Sequence, residues 1–176
     1  YAAAELQYML ANYSEAIKSL TSYLDRYCPG GRYCTTATYY AATAYDQLGQ
    51  EEEALKKYID LSQMEGNSYR EEAYSRMATI YYSKNLYSSA MDAYERLTQI
   101  CADKQRLYKA RLGIIRCAQA LKQPQKVIDI ATLILIDTEE QDKTEEAYYY
   151  RAKAYIATTG KNDLCFMKSS QKSTQK

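Results

Sequence analysis

Few residues in this chain have the types and spacing that chemistry requires. Carboxylates cluster from Glu51 to Glu53 and again at Glu139 and Glu140. A pair of acids can act as general acid and base or hold a cation. Both clusters fall where helix starts or turns are expected, however, and there negative charge is favoured by the helix dipole and by solvent. Histidine is absent, which removes the commonest general base, the commonest metal ligand and every serine or cysteine dyad built on imidazole. No glycine-rich phosphate loop and no nucleophile motif accompanies the acids. The chain therefore reads as non-catalytic, with no metal and no cofactor. A carboxylate hydrolase would need a deep pocket bringing two acids within reach of one another.

The five cysteines, Cys28, Cys34, Cys101, Cys117 and Cys165, include no C-x-x-C pair. Most read as small buried hydrophobes. Cys28 and Cys34 flank PGGRY and are close enough for a bridge to be conceivable, which leaves the redox compartment open. The tyrosines stand out more, at 21 with no tryptophan, and in AYYYRAKAY (147–155) three run together. Such a run suits either a stacking surface or a protein interior.

Lys+Arg number 23 against Asp+Glu 22, a net charge of +1. The signs alternate along the chain, whereas nucleic-acid binding requires clustered cations that displace counterions, so no nucleic-acid partner is expected. The longest apolar run, VIDIATLILI (Val127 to Ile136), is interrupted by Asp129 and Thr132 and falls well short of the ~20 residues that span a bilayer. No membrane insertion is expected. The chain opens at YAAAELQYML, already helical in pattern and without a starting methionine, as an excised piece would.

The elements that must position these residues come from an internal repeat. EEAY occurs at Glu71 to Tyr74 and again at Glu145 to Tyr148, and half that separation is the length of a helical hairpin. Aligning NYSEAIKSL, QEEEALKKY, LYSSAMDAY and PQKVIDIAT puts Ala16, Ala54, Ala90 and Val127 in register, at separations of 38, 36 and 37 residues. In the helical segment before each, Tyr45, Tyr81 and Tyr155 share one position, with Ala118 the exception. Each unit reads as helix A, tight turn, helix B, turn. The small residue marks where helix B crosses helix A, and the tyrosine packs between hairpins. Ser68-x-x-Glu71 and Asp142-x-x-Glu145 read as capping boxes. Gly49 and Gly160 supply left-handed residues past helices A, and Pro124 suits a first helical turn. CPGG (28–31) and EGNS (65–68) close two helices B. Taken alone, Val127 to Ile136 could be a strand; the repeat makes it a helix B, buried on two sides or meeting a second copy.

This pattern resembles the tetratricopeptide repeat over roughly residues 1 to 161. The signature tyrosine of helix A matches Tyr45, Tyr81 and Tyr155. The signature alanine of helix B matches Ala16, Ala54 and Ala90, and the large residue four positions on matches Leu20, Tyr58 and Tyr94. The units are longer than the family's and lack its tryptophan, glycine and most of its prolines. The resemblance implies an all-α, right-handed superhelix of about four and a half units, at 1–31, 32–67, 68–102, 103–141 and a partial 142–176. YLDRYCP (23–29) is similar to a phrase in long-unit members of the bacterial cell envelope, which implies the periplasm, with the cytoplasm as the alternative. The family's chaperone-tail clamp of lysines, arginine and asparagines is not matched.

In such stacks helices A line a concave groove. The positions facing it are Tyr39, Thr43 and Asp46, then Ser75, Thr79 and Tyr82, then Lys109, Leu112, Arg116 and Gln119, then Glu146, Tyr149, Lys153 and Ile156. Of these, Tyr39, Thr43, Ser75, Thr79, Tyr82, Leu112, Arg116, Tyr149 and Lys153 are expected to bind a peptide or partner segment, the tyrosines as rigid anchors and the two cations against acidic groups. The alternatives are a structural spacer or an oligomerisation segment. In the tyrosine run, Tyr148 and Tyr155 read as structural, Tyr149 as groove-facing and Tyr150 as flanking. A fifth helix B is expected from about Asp163, a short, poorly matching helix that caps the array or reflects truncation of a longer one.

Overall fold

The computed structural model describes residues 1–138 and 140–159. Gly160, the residues after it and Glu139 lie outside the described residues, and so do the expectations placed on them. Among the described residues all regular structure is α-helical. Two compact units divide the chain, Tyr1–Lys84 and Asn85–Lys176. The first holds α1 (Ala2–Met9), α2 (Tyr13–Tyr27), α3 (Cys34–Gln47), α4 (Glu51–Gln63) and α5 (Arg70–Ser83). The second holds α6 (Tyr87–Ile100), α7 (Lys104–Ala120), α8 (Pro124–Asp137) and α9 (Gln141–Thr159). Within each unit every helix packs on its neighbours in sequence, the arrangement of helical hairpins. The apolar run Val127–Ile136 lies in α8, so the helical reading holds. α8 packs against both α7 and α9, burying Val127, Ile128, Ile130, Ala131 and Ile134.

One turn recurs from each helix A into helix B. It is three residues long, and its middle residue is left-handed: Ala11 (φ 58°), Gly49 (φ 70°), Asn85 (φ 59°) and Lys122 (φ 55°). The turn captures carbonyls that the helix end leaves orphaned, since Asn12 N–H donates to Gln7 O at 2.9 Å, Gln50 to Tyr45 at 2.9 Å and Gln123 to Ala118 at 2.8 Å. These six-residue closures are Schellman motifs. Gly49 thus takes the expected role, while alanine, asparagine and lysine take it elsewhere at about 1 kcal/mol or more of backbone cost each. Pro124 opens α8 as expected.

The two capping boxes are not formed. α5 starts at Arg70 behind Tyr69 with no side-chain cap, which leaves Ser68 outside the helix and exposed. Asn67 punctuates here instead. Its Oδ1 accepts from Tyr69 N–H at 2.9 Å, and its Nδ2 donates to Leu61 O at 2.8 Å and Met64 O at 2.7 Å. An amide can tie the end of α4 to the start of α5 in this way, because its nitrogen donates two hydrogen bonds while its oxygen accepts a third, whereas a serine hydroxyl has a single hydrogen to donate. Asp142 lies inside the first turn of α9 rather than ahead of it. The side-chain cap appears at Asp103, whose Oδ1 accepts from Arg106 N–H at 2.6 Å ahead of α7.

The crossing residues behave as the register requires. Ala16, Ala54 and Ala90 are wholly buried and Val127 is nearly so. In the first unit Ala4, Ala16, Leu20, Ala37 and Ala41 form a core closed over by Tyr1, Tyr8, Tyr23 and Tyr40. In the second unit the core is branched and aliphatic, from Ile114, Ile115, Val127, Ile128 and Ile134 to Ala147 and Ala154. Gly113 lets α7 approach α6 closely: a Cβ there would stand 2.5 Å from ring atoms of Tyr94.

Cys28 and Cys34 are disulfide-bonded with their Cα atoms 5.7 Å apart, closing the turn between α2 and α3. That turn seats Tyr33, which stacks on Tyr1 at 4.4 Å and donates its N–H to the Tyr23 hydroxyl at 3.2 Å. Cys117 is free and buried, as its reading as a small hydrophobe requires, and burial pushes its thiol up to about 11. Cys101 is half-buried, and its thiol donates to the Asp103 carbonyl at 3.5 Å.

Two changes test this account. Gly113→Ala improves helix propensity by about 1 kcal/mol, yet the forced shift of Tyr94 costs roughly 1–3 kcal/mol. The variant should therefore melt lower than the parent, and Gly113→Ala combined with Tyr94→Leu should recover the loss. Replacing both bridged cysteines by serine should lower stability by about 2 kcal/mol for so short a loop. Denaturant unfolding of parent and variant without reductant measures it, and adding reductant should bring the parent to the variant's midpoint.

Candidate functional site

The predicted site residues divide between the two units. In the first, Tyr39 and Thr43 lie one turn apart on α3, and Ser75, Thr79 and Tyr82 share α5. Tyr39 is half-buried and stacks on Tyr69 with centroids 4.1 Å apart and planes 12° from parallel. The run of rings continues to Tyr40 at 5.8 Å, on to Tyr8 at 4.6 Å and then to Tyr13 at 5.6 Å. Glu5 accepts from the hydroxyls of both Tyr1, at 3.3 Å, and Tyr40, at 3.4 Å. Burial, followed by the charge of Glu72, raises the Tyr39 pKa, and burial with Glu5 does the same at Tyr40. These phenols stay protonated well into alkali.

The threonines contribute less to a partner than their position suggests. Thr43 Oγ1 donates to the Tyr39 carbonyl at 3.0 Å, and Thr79 Oγ1 to the Ser75 carbonyl at 3.0 Å. Each hydroxyl hydrogen is spent on its own helix. Asp46, also placed on this face, serves the interior: it accepts from the Tyr58 hydroxyl at 3.3 Å and pairs with Arg76. Tyr58 is wholly buried, so this network anchors the phenol that fills α4's side of the hairpin. The Glu51 to Glu53 cluster lies in the first turn of α4. Glu53 pairs with Lys56 at 2.7 Å, and Lys84 stands 3.7 Å from Glu51 and 3.6 Å from Glu52. These are solvated helix-start acids held by lysines.

In the second unit Arg116 on α7 and Lys153 on α9 are exposed. Tyr149 is 60% exposed, with the Lys153 ammonium 5.8 Å from its ring centroid. Leu112 has to be withdrawn from the site. It is 8% exposed and belongs to the aliphatic core with Ile115 and Ala147, because α7 is covered at that position by its own unit. The neighbouring α7–α9 link runs through Tyr108, whose hydroxyl donates to Glu146 in a short hydrogen bond. Lys143 lies 5.1 Å from the Tyr108 ring centroid. Burial and that glutamate raise the Tyr108 pKa.

The tyrosine run separates differently from its expected order. Tyr149 is the most exposed of the three, and Tyr150 packs against the core. Tyr148 and Tyr155, expected to be structural, are 39% and 43% exposed. Their register equivalents in α3, Thr38 and Tyr45, are buried and half-buried, since α4 packs on α3. Sequence reasoning missed Tyr69 because it precedes α5 and so lies outside any helical frame. It gave Tyr8 no role, and it set Tyr40, the match of Tyr150, on a flank. The density of tyrosine between residues 1 and 40 was the available signal.

Among the described residues no three acids or cysteines stand close enough to hold a metal ion, and no helix is long and apolar enough to cross a membrane.

No family model and no curated protein matches the chain. Solved structures do. A kinesin light chain protein of nearly identical TPR-like repeats from Podosopora anserina superposes with a TM-score of 0.57 at 16% identity, covering 99% of this chain and 94% of its own. A MamA double mutant gives 0.61 at 14% identity, covering 98% and 94%. A tetratricopeptide repeat protein from Parabacteroides merdae gives 0.54 at 22% identity, covering 88% of this chain and 56% of its own.

The buried Tyr58 supplies a pH test. Burial raises its pKa above the usual 10, so above pH 10 the unfolded chain releases this proton first and stability falls as pH rises further. The contribution is intact below pH 10. Tyr58→Phe should flatten the alkaline decline in unfolding free energy between pH 10 and 12, and an unchanged slope would remove Tyr58 as its source.

Proposed function

We propose, from the premise that this chain has the fold of the tetratricopeptide-like repeat proteins, that it is a non-catalytic protein–protein interaction module. The partner is a peptide or extended segment lying on the faces of the A helices, in the groove the fold family implies. The observation that carries the reading is the display of aromatic side chains on those helices: Tyr149 at 60% exposure and Tyr82 at 38%, with Tyr39 held rigid by its stack on Tyr69. A ring fixed before binding loses little entropy when a partner arrives, which is why such residues dominate interface energies. Thr43, Ser75, Thr79, Arg116 and Lys153 surround these anchors in their respective units. The Cys28–Cys34 bridge is of a kind retained in oxidising compartments, which supports the periplasm or cell envelope over the cytoplasm. The second reading, an oligomerisation or spacer segment, draws on Ile136 and Leu133 of α8, 72% and 43% exposed.

The test is capture of partners by the immobilised chain, with Tyr39→Ala/Tyr149→Ala beside the parent and Lys18→Ala as a control on α2. Partners should be lost from the double variant and kept by the control, with helical content equal in all three by circular dichroism. Identical partner sets from parent and double variant would sink the reading. Concentration-dependent dimerisation abolished by Ile136→Asp would favour the second.

A further inference from the structure

We infer that the α7–α9 face of the second unit receives a protein segment rich in aspartate or glutamate side chains, an assignment that rests on the interaction reading above and narrows its partner. Charge is distributed very unevenly in this unit. α7 carries Lys104, Arg106, Lys109, Arg111 and Arg116 and no acid. From Ala147 to the end of α9 the only charges are Arg151 and Lys153.

Four of the described acids nearby are already engaged. Glu146 accepts from Tyr108, Glu145 from Gln141 at 2.9 Å, Glu140 pairs with Lys143 at 2.6 Å and Asp137 with Arg111 at 2.6 Å. Asp142 lies eleven positions before Lys153 on α9, about 16 Å along the helix. Lys109, Arg116 and Lys153 are exposed and form no ion pair among the described residues. Lys109 and Arg116, seven residues apart on α7, and Lys153 on α9 are thus uncompensated; at helical spacing from Lys153 stand the exposed ring of Tyr149, its centroid 5.8 Å from the ammonium, and Ile156, 47% exposed.

That combination selects among anionic partners. Three cations release few counterions from a phosphate backbone, and a chain of net charge +1 adds no long-range pull toward one. A polypeptide offers both carboxylates for the cations and apolar side chains for Tyr149 and Ile156. Lys109 and Arg116 stand seven residues apart on α7, about 10 Å along the helix, farther than a single chain-terminal carboxylate reaches. The match is to side-chain carboxylates within a segment.

The experiment uses the full chain and three fluorescent probes: a blocked octapeptide of six glutamates and two leucines, the same peptide with lysines for glutamates, and an eight-nucleotide deoxythymidine strand. Anisotropy should show the acidic peptide binding about tenfold or more tighter than the other two, with affinity falling as salt rises. Arg116→Glu/Lys153→Glu should lose about tenfold, while Lys122→Glu in the α7–α8 turn and Arg116→Lys/Lys153→Arg should retain binding. Equal binding of acidic and basic peptides, tighter binding of the oligonucleotide, or an equal loss in Lys122→Glu overturns the inference. If the tyrosine double variant still loses its captured partners while the acidic peptide ignores this face, the interaction reading stands and this one fails.

Discussion

Close approach between helices is the constraint on which the rest of this structure depends. Where α2, α3 and α4 meet their neighbours, the contacting side chains include alanines with no exposed surface, Ala16, Ala37, Ala41 and Ala54. In the second unit Gly113 gives up its side chain altogether beneath Tyr94. Alanine buries little apolar area, so packing by alanine alone would leave such a hairpin weak. The chain makes up the difference with tyrosine in the first unit, where Tyr1, Tyr8, Tyr23 and Tyr40 close over the small residues. In the second it uses branched aliphatics. A tyrosine core has a polar rim by construction, because each ring brings a hydroxyl that must find a partner. Glu5 and Asp46 are placed where those hydroxyls arrive.

The second constraint is the turn. Four A-to-B connections put a left-handed residue at the same place, and in three of them non-glycine side chains tolerate the strain. What offsets it is the closure bonding that returns to the third residue from the helix end, Gln7, Tyr45 or Ala118. The register position read from sequence as a packing tyrosine is thus also the residue whose carbonyl locks the turn. That dual role explains why Ala118 can replace tyrosine there: the carbonyl is common to both residues, and only the packing differs.

Features decided within one or two turns of helix were legible in the sequence. Ala16, Ala54, Ala90 and Val127 are buried where the register puts them, and Gly49 and Pro124 occupy the turns and helix starts their backbones suit. Features decided by what lies alongside were not. Leu112 and Tyr148 occupy positions whose fate depends on neighbouring helices, and spacing carries no record of coverage. Ser68 and Asn67 were equally good punctuation on paper; the carbonyls of Leu61 and Met64 favour the amide, and they come from the preceding helix. The bridge between Cys28 and Cys34 depends on a Cα separation that seven residues of turn can meet or miss. The acid-free composition of α7, by contrast, was visible in the sequence and was lost to averaging over a chain whose charges nearly cancel.

The two units consequently present different chemistry. On α3 and α5 the threonine hydroxyls are returned to their own helices and Asp46 and Arg76 neutralise one another, which leaves ring edges and phenols as the surface. On α9 Glu145 and Glu146 accept local hydrogen bonds, while Lys109, Arg116 and Lys153 form no ion pair among the described residues. Contacts to the first surface depend on shape and desolvation and are little affected by salt. Contacts to the second depend on charge and weaken as the Debye length shortens.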